Sequence, residues 1–168
     1  EIKSYLKTIE EKILEIDLPK TFNVQRQDIL RIIFDSFKDS SGALLSYENL
    51  AGDLGVDIRT TINYIEYLKK AYLLDLCLNQ TKKLVKAGRT LKKFYLTSTN
   101  FGQNLSLGGR VETYVFNFFK KMGYKVEFFR YQTSEIDFIL TNSRKEKIPV
   151  EVKYQNMIKE SDEKTLWE

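Results

Sequence analysis

The last third of the sequence carries charged residues whose types and spacing could hold a hard cation. Glu135 and Asp137 lie two residues apart on one strand-like run, and Glu151 and Lys153 lie two apart on the next. Residues two apart share a face of a strand, so hairpin pairing would bring the two carboxylate-bearing faces together. Glu112, on the helix before these strands, could complete the group. Carboxylates from several elements can hold Mg²⁺, and a nearby lysine can orient the water that attacks a phosphodiester.

The same residues have a simpler interpretation as a solvated strand face. Glu151 and Lys153 would then form an exposed ion pair, which contributes little to stability. The Glu-x-Lys spacing alone is also a weak signal, because it is short and common. The order along the chain favours a site, since a helix with Glu112 and a strand with Asp137 precede that spacing.

The composition excludes several other kinds of site. The 168 residues include no histidine, which rules out a Ser-His-Asp triad, a histidine zinc site and imidazole acid–base catalysis. Cys77 is the one cysteine and lies in an apolar run, so we expect a buried side chain and no disulfide within the chain. No apolar stretch is long enough for a membrane span, and no signal peptide is visible. We therefore expect a cytoplasmic protein with no membrane partner.

The start of the chain is predicted to be helical. Apolar spacing of three and four predicts one helix over residues 2–18, which Pro19 is expected to end, and a second over residues 25–37. The sequence starts inside the first helix without a capping residue. We therefore expect it to be a piece of a longer polypeptide.

The next segment has the order of a winged helix-turn-helix. Ser46 is expected to cap a short helix, Gly55 to make the turn after it, and Asp57 to cap a third helix. Strands are predicted over 73–79 and 94–97, and the basic segment between them would form the wing.

Two surfaces of this first domain could contact DNA. The exposed side of the third helix is predicted to carry Arg59 and Asn63, with Tyr64 and Tyr67 beside them and Ile58 in the core. Arg and Asn can read base edges, but many such helices dock proteins instead. The wing could contact phosphates, or could simply be a solvated lysine-rich loop. Its six basic residues are Lys82, Lys83, Lys86, Arg89, Lys92 and Lys93.

A turn-rich joint at residues 99–109 divides the chain into two expected domains. Residues 1–98 hold the helical segment and the winged helix-turn-helix, and residues 110–168 hold one helix and three strand-like runs. The fold class is therefore expected to be α+β or α/β, with a winged helix-turn-helix followed by an αβββ core. The helix of the second domain is predicted to bury one apolar stripe, made of Val111, Tyr114, Val115, Phe118, Phe119 and Met122.

These motifs resemble two known groups of proteins. Asp137 followed by Glu151-x-Lys153, after a helix bearing Glu112, resembles the PD-(D/E)xK restriction-endonuclease-like superfamily. The runs GRVET, EIDF and VEVK after a winged helix resemble the carboxy-terminal region of a family of archaeal and bacterial AAA+ (P-loop) ATPases. In that family the region is a domain of unknown function. The runs LSYENLA and YLKKAYLL carry this second resemblance as much as the acidic motif does, and it covers nearly the whole chain.

The resemblance implies a role for each acidic-site residue. Asp137 and Glu151 would be metal ligands and catalytic residues, Lys153 the catalytic lysine, and Glu112 the helix acid and third ligand, with Mg²⁺ as the metal. Members of the superfamily can keep the fold and lose the activity, so both outcomes stay open. The second domain is expected to be truncated, because the superfamily fold usually continues with another helix and strand. No Pro-Asp pair stands at Asp137, which leaves Glu135 as an extra acid.

The resemblance also implies which partners belong to the chain. The P-loop signature GxxxxGK[ST] does not occur in these residues, so ATP is expected to bind only in an ATPase core upstream. One hypothesis is a DNA-binding, nuclease-like module that hydrolyses phosphodiesters with Mg²⁺. The other is a non-catalytic protein–protein coupling module that docks the ATPase core or a partner subunit. Expected partners are DNA, that upstream ATPase core and further copies of the chain in a homo-oligomer.

Overall fold

The computed structural model describes residues 2–80, 91–102, 104–132 and 134–155, and these form a mixed α+β fold. The helical elements are α1 (Ile2–Lys12), a π-helical turn (Ile13–Asp17), α2 (Leu18–Phe22), α3 (Gln27–Lys38), α4 (Tyr47–Leu54), α5 (Ile58–Lys70) and α6 (Leu107–Lys121). The strands are β1 (Leu44–Leu45), β2 (Leu74–Asn79), β3 (Lys92–Leu96), β4 (Lys125–Tyr131), β5 (Ser134–Thr141) and β6 (Lys147–Val150).

One six-stranded mixed sheet runs through both halves of the chain. Its order is β1-β3-β2-β4-β5-β6, and the β2–β4 pair is parallel whereas the other neighbours are antiparallel. The Asn79 side chain strengthens the parallel junction, because its Oδ1 accepts the Arg130 N–H at 2.8 Å and its Nδ2 donates to the Arg130 carbonyl at 3.1 Å. The sheet thereby brings residues of the first half next to the acidic residues of the second.

The predicted helix boundaries around the turn at Gly55 are confirmed. The Ser46 hydroxyl accepts the Asn49 N–H at 3.2 Å and caps α4. Gly55 ends α4 with a φ of +64°, a conformation that costs glycine little. The Asp57 carboxylate accepts the Thr60 N–H at 2.9 Å and caps α5.

The prediction that Pro19 ends the first helix is wrong. The helical backbone continues through a π-helical turn to Phe22, and Asn23 ends it in the left-handed conformation at φ 50°. Pro19 lies in the first turn of α2 after this wider turn. Because the turn before it is π-helical, with the Leu18 N–H bonding the Ile13 carbonyl, the helix can pass a residue that has no N–H.

The apolar stripe predicted for α6 is also wrong in part. Phe116 and Thr113 are its buried residues, whereas Tyr114, Phe118 and Met122 are 64%, 46% and 58% exposed. The helix is apolar around much of its circumference, so the spacing alone does not decide which face meets the sheet.

An apolar core lies under α6, around the aromatic rings of Tyr95, Phe116 and Phe138. Cys77 belongs to it and is fully buried, as predicted. Burial raises the pKa of this thiol to about 12. Among the described residues, no helix is both long and apolar enough to cross a membrane.

Candidate functional site

The end of the β5–β6 hairpin brings Asp137 and Glu151 together. Phe138 pairs with Val150, the last residue of β6, so Glu151 directly follows the strand instead of lying within it as predicted. The Asp137 carboxylate accepts the Val152 N–H at 2.8 Å, and Glu151 Oε2 lies 3.5 Å from the Asp137 backbone nitrogen. Beyond the last residue of β6, side-chain-to-backbone contacts instead of strand pairing hold the two acids side by side.

Lys153 joins this pair through Glu151. Its Nζ lies 2.7 Å from Glu151 Oε1, and its side chain is 36% exposed against 15% for the glutamate. The lysine therefore stands at the solvent side of the group, with the acids behind it.

Glu112 reaches the same region from α6 and is held by two residues of β3. The Tyr95 hydroxyl donates to Glu112 Oε1 at 2.6 Å, and Lys93 Nζ lies 3.5 Å from the same oxygen. Lys93 Nζ also lies 2.6 Å from Glu135 Oε1, so this ammonium bridges two of the carboxylates. We call Lys93, Glu112, Glu135, Asp137, Glu151 and Lys153 the acidic site.

Burial and like charges perturb Asp137. Its pKa is raised to about 6, chiefly because burial disfavours the charged form, and further by the Glu151 and Glu112 charges. The Val152 N–H and Lys93 oppose the rise but do not cancel it. A divalent cation beside Asp137 would relieve this repulsion.

That Glu112, Asp137 and Glu151 hold Mg²⁺ stays a prediction. Among the described residues, no group of three acidic or cysteine side chains is arranged to hold a metal ion. Glu112 Oε1 is engaged by Tyr95, which separates its role from that of the other two acids. Mg²⁺ usually takes one or two carboxylates and completes its shell with water and substrate phosphates, so the chemistry of Asp137 and Glu151 suits it.

Comparison with known proteins divides the chain at the start of α6. A family model described as a domain of unknown function, DUF8612, matches residues 1–106. The chain belongs to the DUF8612 family. A second model, the domain of unknown function DUF4143, matches residues 107–168. DUF4143 occurs in proteins associated with AAA ATPases. No curated protein and no solved structure matches the chain.

The acidic site therefore draws residues from both matched regions. Glu112, Glu135, Asp137, Glu151 and Lys153 lie in the DUF4143 region, whereas Lys93 lies in the DUF8612 region. The sequence predicts that Lys93 lies in a DNA-contacting wing. The structure instead buries it to 6% exposure against Glu135, so this placement does not suit a phosphate contact at a wing tip.

Two further site features were missed from the sequence. The sequence pattern places Tyr95 simply in a strand, although the spacing Lys93-x-Tyr95 puts both side chains on one face of β3. The extra acid, Glu135, pairs with Lys93 and, at 3.4 Å, with Arg130. Only the pairing of β3 with the rest of the sheet reveals either contact.

The other predicted DNA-contacting residues have different surroundings. Arg59 and Asn63 are exposed on α5. Lys92 Nζ lies 4.8 Å from the centre of the Tyr47 ring, within cation–π distance. The remaining wing residues lie outside the described ones: Lys82, Lys83, Lys86 and Arg89.

The face of α5 that was predicted to be exposed is partly covered. Tyr64 is buried, and its hydroxyl accepts the Arg26 N–H at 3.1 Å. The Tyr67 ring stacks on Phe22 of α2 with centroids 4.2 Å apart. Ile58, predicted as core, is 44% exposed. The buried face of α5 is therefore wider than predicted, and α2 reduces the surface that the helix exposes.

Proposed function

We propose that the chain is a DNA-binding, nuclease-like module of an AAA+ ATPase, with Mg²⁺-dependent phosphodiester hydrolysis at the acidic site. The observation that carries this proposal is the meeting of Asp137, Glu151 and Lys153 at the end of one hairpin, with Glu112 reaching them from α6. Two acids and a lysine at the rim of a partly buried site match what such hydrolysis needs.

Each residue of the acidic site has a separate task in this proposal. Asp137 and Glu151 would hold Mg²⁺, which when bound neutralises charge on the phosphate and activates water. Lys153 is more exposed than Glu151, its ion-pair partner, and would orient the attacking water or contact the scissile phosphate. The backbone N–H of Val152 fixes the Asp137 carboxylate and so sets the direction of its second oxygen.

The arrangement of the first half supports a winged helix-turn-helix. α4 and α5 meet at the left-handed Gly55, and β2 and β3 form the antiparallel hairpin that follows, with β1 on its outer edge. This is the order of a winged helix-turn-helix, and it leaves Arg59 and Asn63 on the solvent side of α5. In the second half, α6 followed by the antiparallel β4, β5 and β6 supports a nuclease-like αβββ core.

A surface on α6 favours a second candidate, a non-catalytic coupling module that docks the ATPase core or a partner subunit. Tyr114 and Phe118 are exposed and line a groove of about 280 Å³ together with Asn117 and Lys121. Exposed apolar side chains on one helix face are typical of protein contacts. The occurrence of DUF4143 in proteins associated with AAA ATPases is consistent with such a contact.

The experiment that separates these candidates is metal-dependent cleavage. Duplex, single-stranded and branched DNA would be incubated with the chain and Mg²⁺ or Mn²⁺, beside Asp137→Asn, Lys153→Ala and the control Lys147→Ala. Lys147 is exposed at the turn end of β6, away from the acids, so its removal makes the same change of charge as Lys153→Ala without touching them.

The proposal expects cleavage by the unaltered chain and the control, and at least about a hundredfold less by Asp137→Asn and Lys153→Ala. Circular dichroism would show that all variants are folded. Salt-sensitive DNA binding without cleavage by any of them would overturn the hydrolytic part and leave a DNA-binding role. Absence of both would favour the coupling module.

A further inference from the structure

Arg26 is an exposed arginine whose backbone and side chain are both held in place. It lies just before α3, where its backbone N–H donates to the Tyr64 hydroxyl of α5 at 3.1 Å. Its side chain is 59% exposed, yet the Asp28 carboxylate accepts hydrogen bonds from Nε at 2.9 Å and from Nη2 at 2.6 Å. The pKa of Asp28 is lowered to about 2, chiefly by this hydrogen bonding, so the carboxylate stays ionised at neutral pH. The guanidinium is therefore oriented without being buried.

The pairing with Asp28 leaves one edge of the Arg26 guanidinium open. A guanidinium carries five N–H groups in one plane, and Asp28 takes the one on Nε and one of the two on Nη2. The second Nη2 hydrogen and both Nη1 hydrogens make up the outer edge. Within the part of the chain that the structure describes, Nη1 has no hydrogen-bond partner. Arg26 can therefore donate two parallel hydrogen bonds to one further partner.

Arg26 lines a groove beside α5 together with several neutral polar residues. The groove has a volume of about 440 Å³, and Gln25, Thr60 and Asn63 also line it. Asn63 belongs at the same time to the solvent side of α5, which the proposed function assigns to DNA. The amide and hydroxyl groups of these residues can form hydrogen bonds without adding charge. The groove therefore combines neutral hydrogen-bonding groups with one oriented guanidinium.

The charges around this groove favour an uncharged partner over an anion. Asp28 offsets the charge of Arg26, and a second carboxylate, that of Asp57, lines the groove. Asp57 also caps the amino-terminal end of α5 by accepting the Thr60 N–H at 2.9 Å, so a carboxylate of the chain already serves that end. A phosphate in the groove would be repelled by both carboxylates, whereas the edge of a base carries no net charge. Guanine presents two acceptors, O6 and N7, on the edge to which arginine binds in bidentate fashion.

We infer that Arg26 reads a guanine base in the major groove of duplex DNA, with its outer edge donating to O6 and N7. The inference rests on the proposed function, because it names a base that the DNA-binding half of the chain selects. Asp28 is a positioning residue in this account, since its carboxylate orients the guanidinium. The loop between α2 and α3 thereby enlarges the surface that Arg59 and Asn63 present on α5.

The test is the selection of bound sequences from duplex DNA with randomised positions, carried out with the whole chain. We expect the unaltered chain to prefer guanine at one position, and Arg26→Ala to lower that preference about tenfold. Arg26→Lys should lower it to a similar extent, because lysine keeps the charge and cannot form the bidentate pair. Arg144→Ala is the matched control, since it removes an exposed arginine from the turn between β5 and β6. Circular dichroism shows that the comparison is made on folded protein.

Two further measurements distinguish a base contact from a phosphate contact and test the role of Asp28. In the selected duplex, 7-deazaguanine at the preferred position lacks the N7 acceptor and should weaken binding by the unaltered chain but not by Arg26→Ala. Arg26→Ala should also leave the slope of log affinity against log salt unchanged, because it removes no phosphate contact. Asp28→Ala keeps the arginine and loses its orienting partner, so it should lower the guanine preference as well.

The possible failures are distinguishable. A guanine preference that Arg26→Ala retains, or a salt slope that it reduces by about one, would overturn the inference and leave the proposed function standing. Binding of duplex DNA by the unaltered chain without a preference for guanine would have the same consequence. Absence of DNA binding by the unaltered chain would overturn the DNA-binding part of the proposed function and the inference with it.

Discussion

The α5 surface and the acidic site differ in how their side chains are held. Arg59 and Asn63 project from an exposed helix face. Lys93, Glu112 and Glu135 instead share short contacts inside the molecule, so each one determines where the others lie. Substitutions should therefore have local effects on α5 and coupled effects in the acidic site.

The largest expected effect on stability comes from the aromatic core beneath the acidic site. Phe116→Ala should lower the free energy of unfolding by about 4 kcal/mol, since it leaves a cavity between Tyr95 and Phe138. Tyr114→Ala, two residues earlier on the exposed face, should change it by less than about 1 kcal/mol. Urea unfolding of both variants checks this. Equal losses would mean that α6 presents the other face to the sheet.

The next effect concerns the coupling within the acidic site. Lys93→Met should cost about 3 kcal/mol of unfolding free energy, because Glu135 and Glu112 lose the ammonium between them in a partly buried site. Lys120→Met, which breaks a more exposed pair with Asp75, should cost less than about 1 kcal/mol. Chemical denaturation at pH 7 compares the two. A small loss for Lys93→Met would contradict the interlocked arrangement.

A change of pH is expected to have a smaller effect on the free energy of unfolding. In the folded chain the pKa of Asp137 is about 6, above its usual value of 3.8, so the folded state binds a proton between these values that the unfolded state does not. Stability from this group therefore rises as pH falls from about 6 to 4, and it is lost as pH rises. With its partial exposure discounted, the difference should reach about 1–2 kcal/mol.

Asp137→Asn isolates this contribution. The unfolding free energy of the unaltered chain, minus that of the variant, should fall between pH 4 and pH 7. A difference that is flat across this range would show that Asp137 ionises like an exposed carboxyl.

The smallest effect is expected on α5. Arg59→Ala should weaken duplex binding by about 1 kcal/mol and reduce the slope of log affinity against log salt by about one, if the side chain contacts a phosphate. Lys147→Ala, which removes one exposed charge on β6, serves as the control. Fluorescence anisotropy with labelled duplex measures both quantities. An unchanged affinity would support protein docking at this face instead.

The success of prediction from sequence also differs between the α5 region and the acidic site. Local signals were sufficient for the α5 region, because a cap such as Ser46 or Asp57 and a turn glycine such as Gly55 act within a few residues. Strand alternation also brought Asp137 near Glu151. The contacts of Lys93 and Tyr95 could not be predicted from local signals, because they depend on which strand of the sheet packs against α6. Lys93 also lies in a run of lysines, and charge alone does not distinguish it from its neighbours.

Helix orientation was the other point where local patterns failed. Ile58 and Tyr64 exchange their predicted environments on α5, because α2 packs against that helix through Phe22 and Tyr67. Periodicity identifies a helix but does not say which of two apolar faces is buried when another element covers one of them. The exposure of a helical residue thus depends on tertiary packing that the spacing alone does not give.

The most direct test of the central claim is single-turnover cleavage of prebound duplex DNA with the chain in excess and Mg²⁺ present. Because the chain is in excess, a variant of weaker affinity still binds the DNA, so the rates compare the hydrolytic step alone. The account predicts that Arg59→Ala cleaves at the rate of the unaltered chain and that Asp137→Asn cleaves at least about a hundredfold more slowly. Equal rates for Asp137→Asn and the unaltered chain, or no cleavage by either, would contradict it.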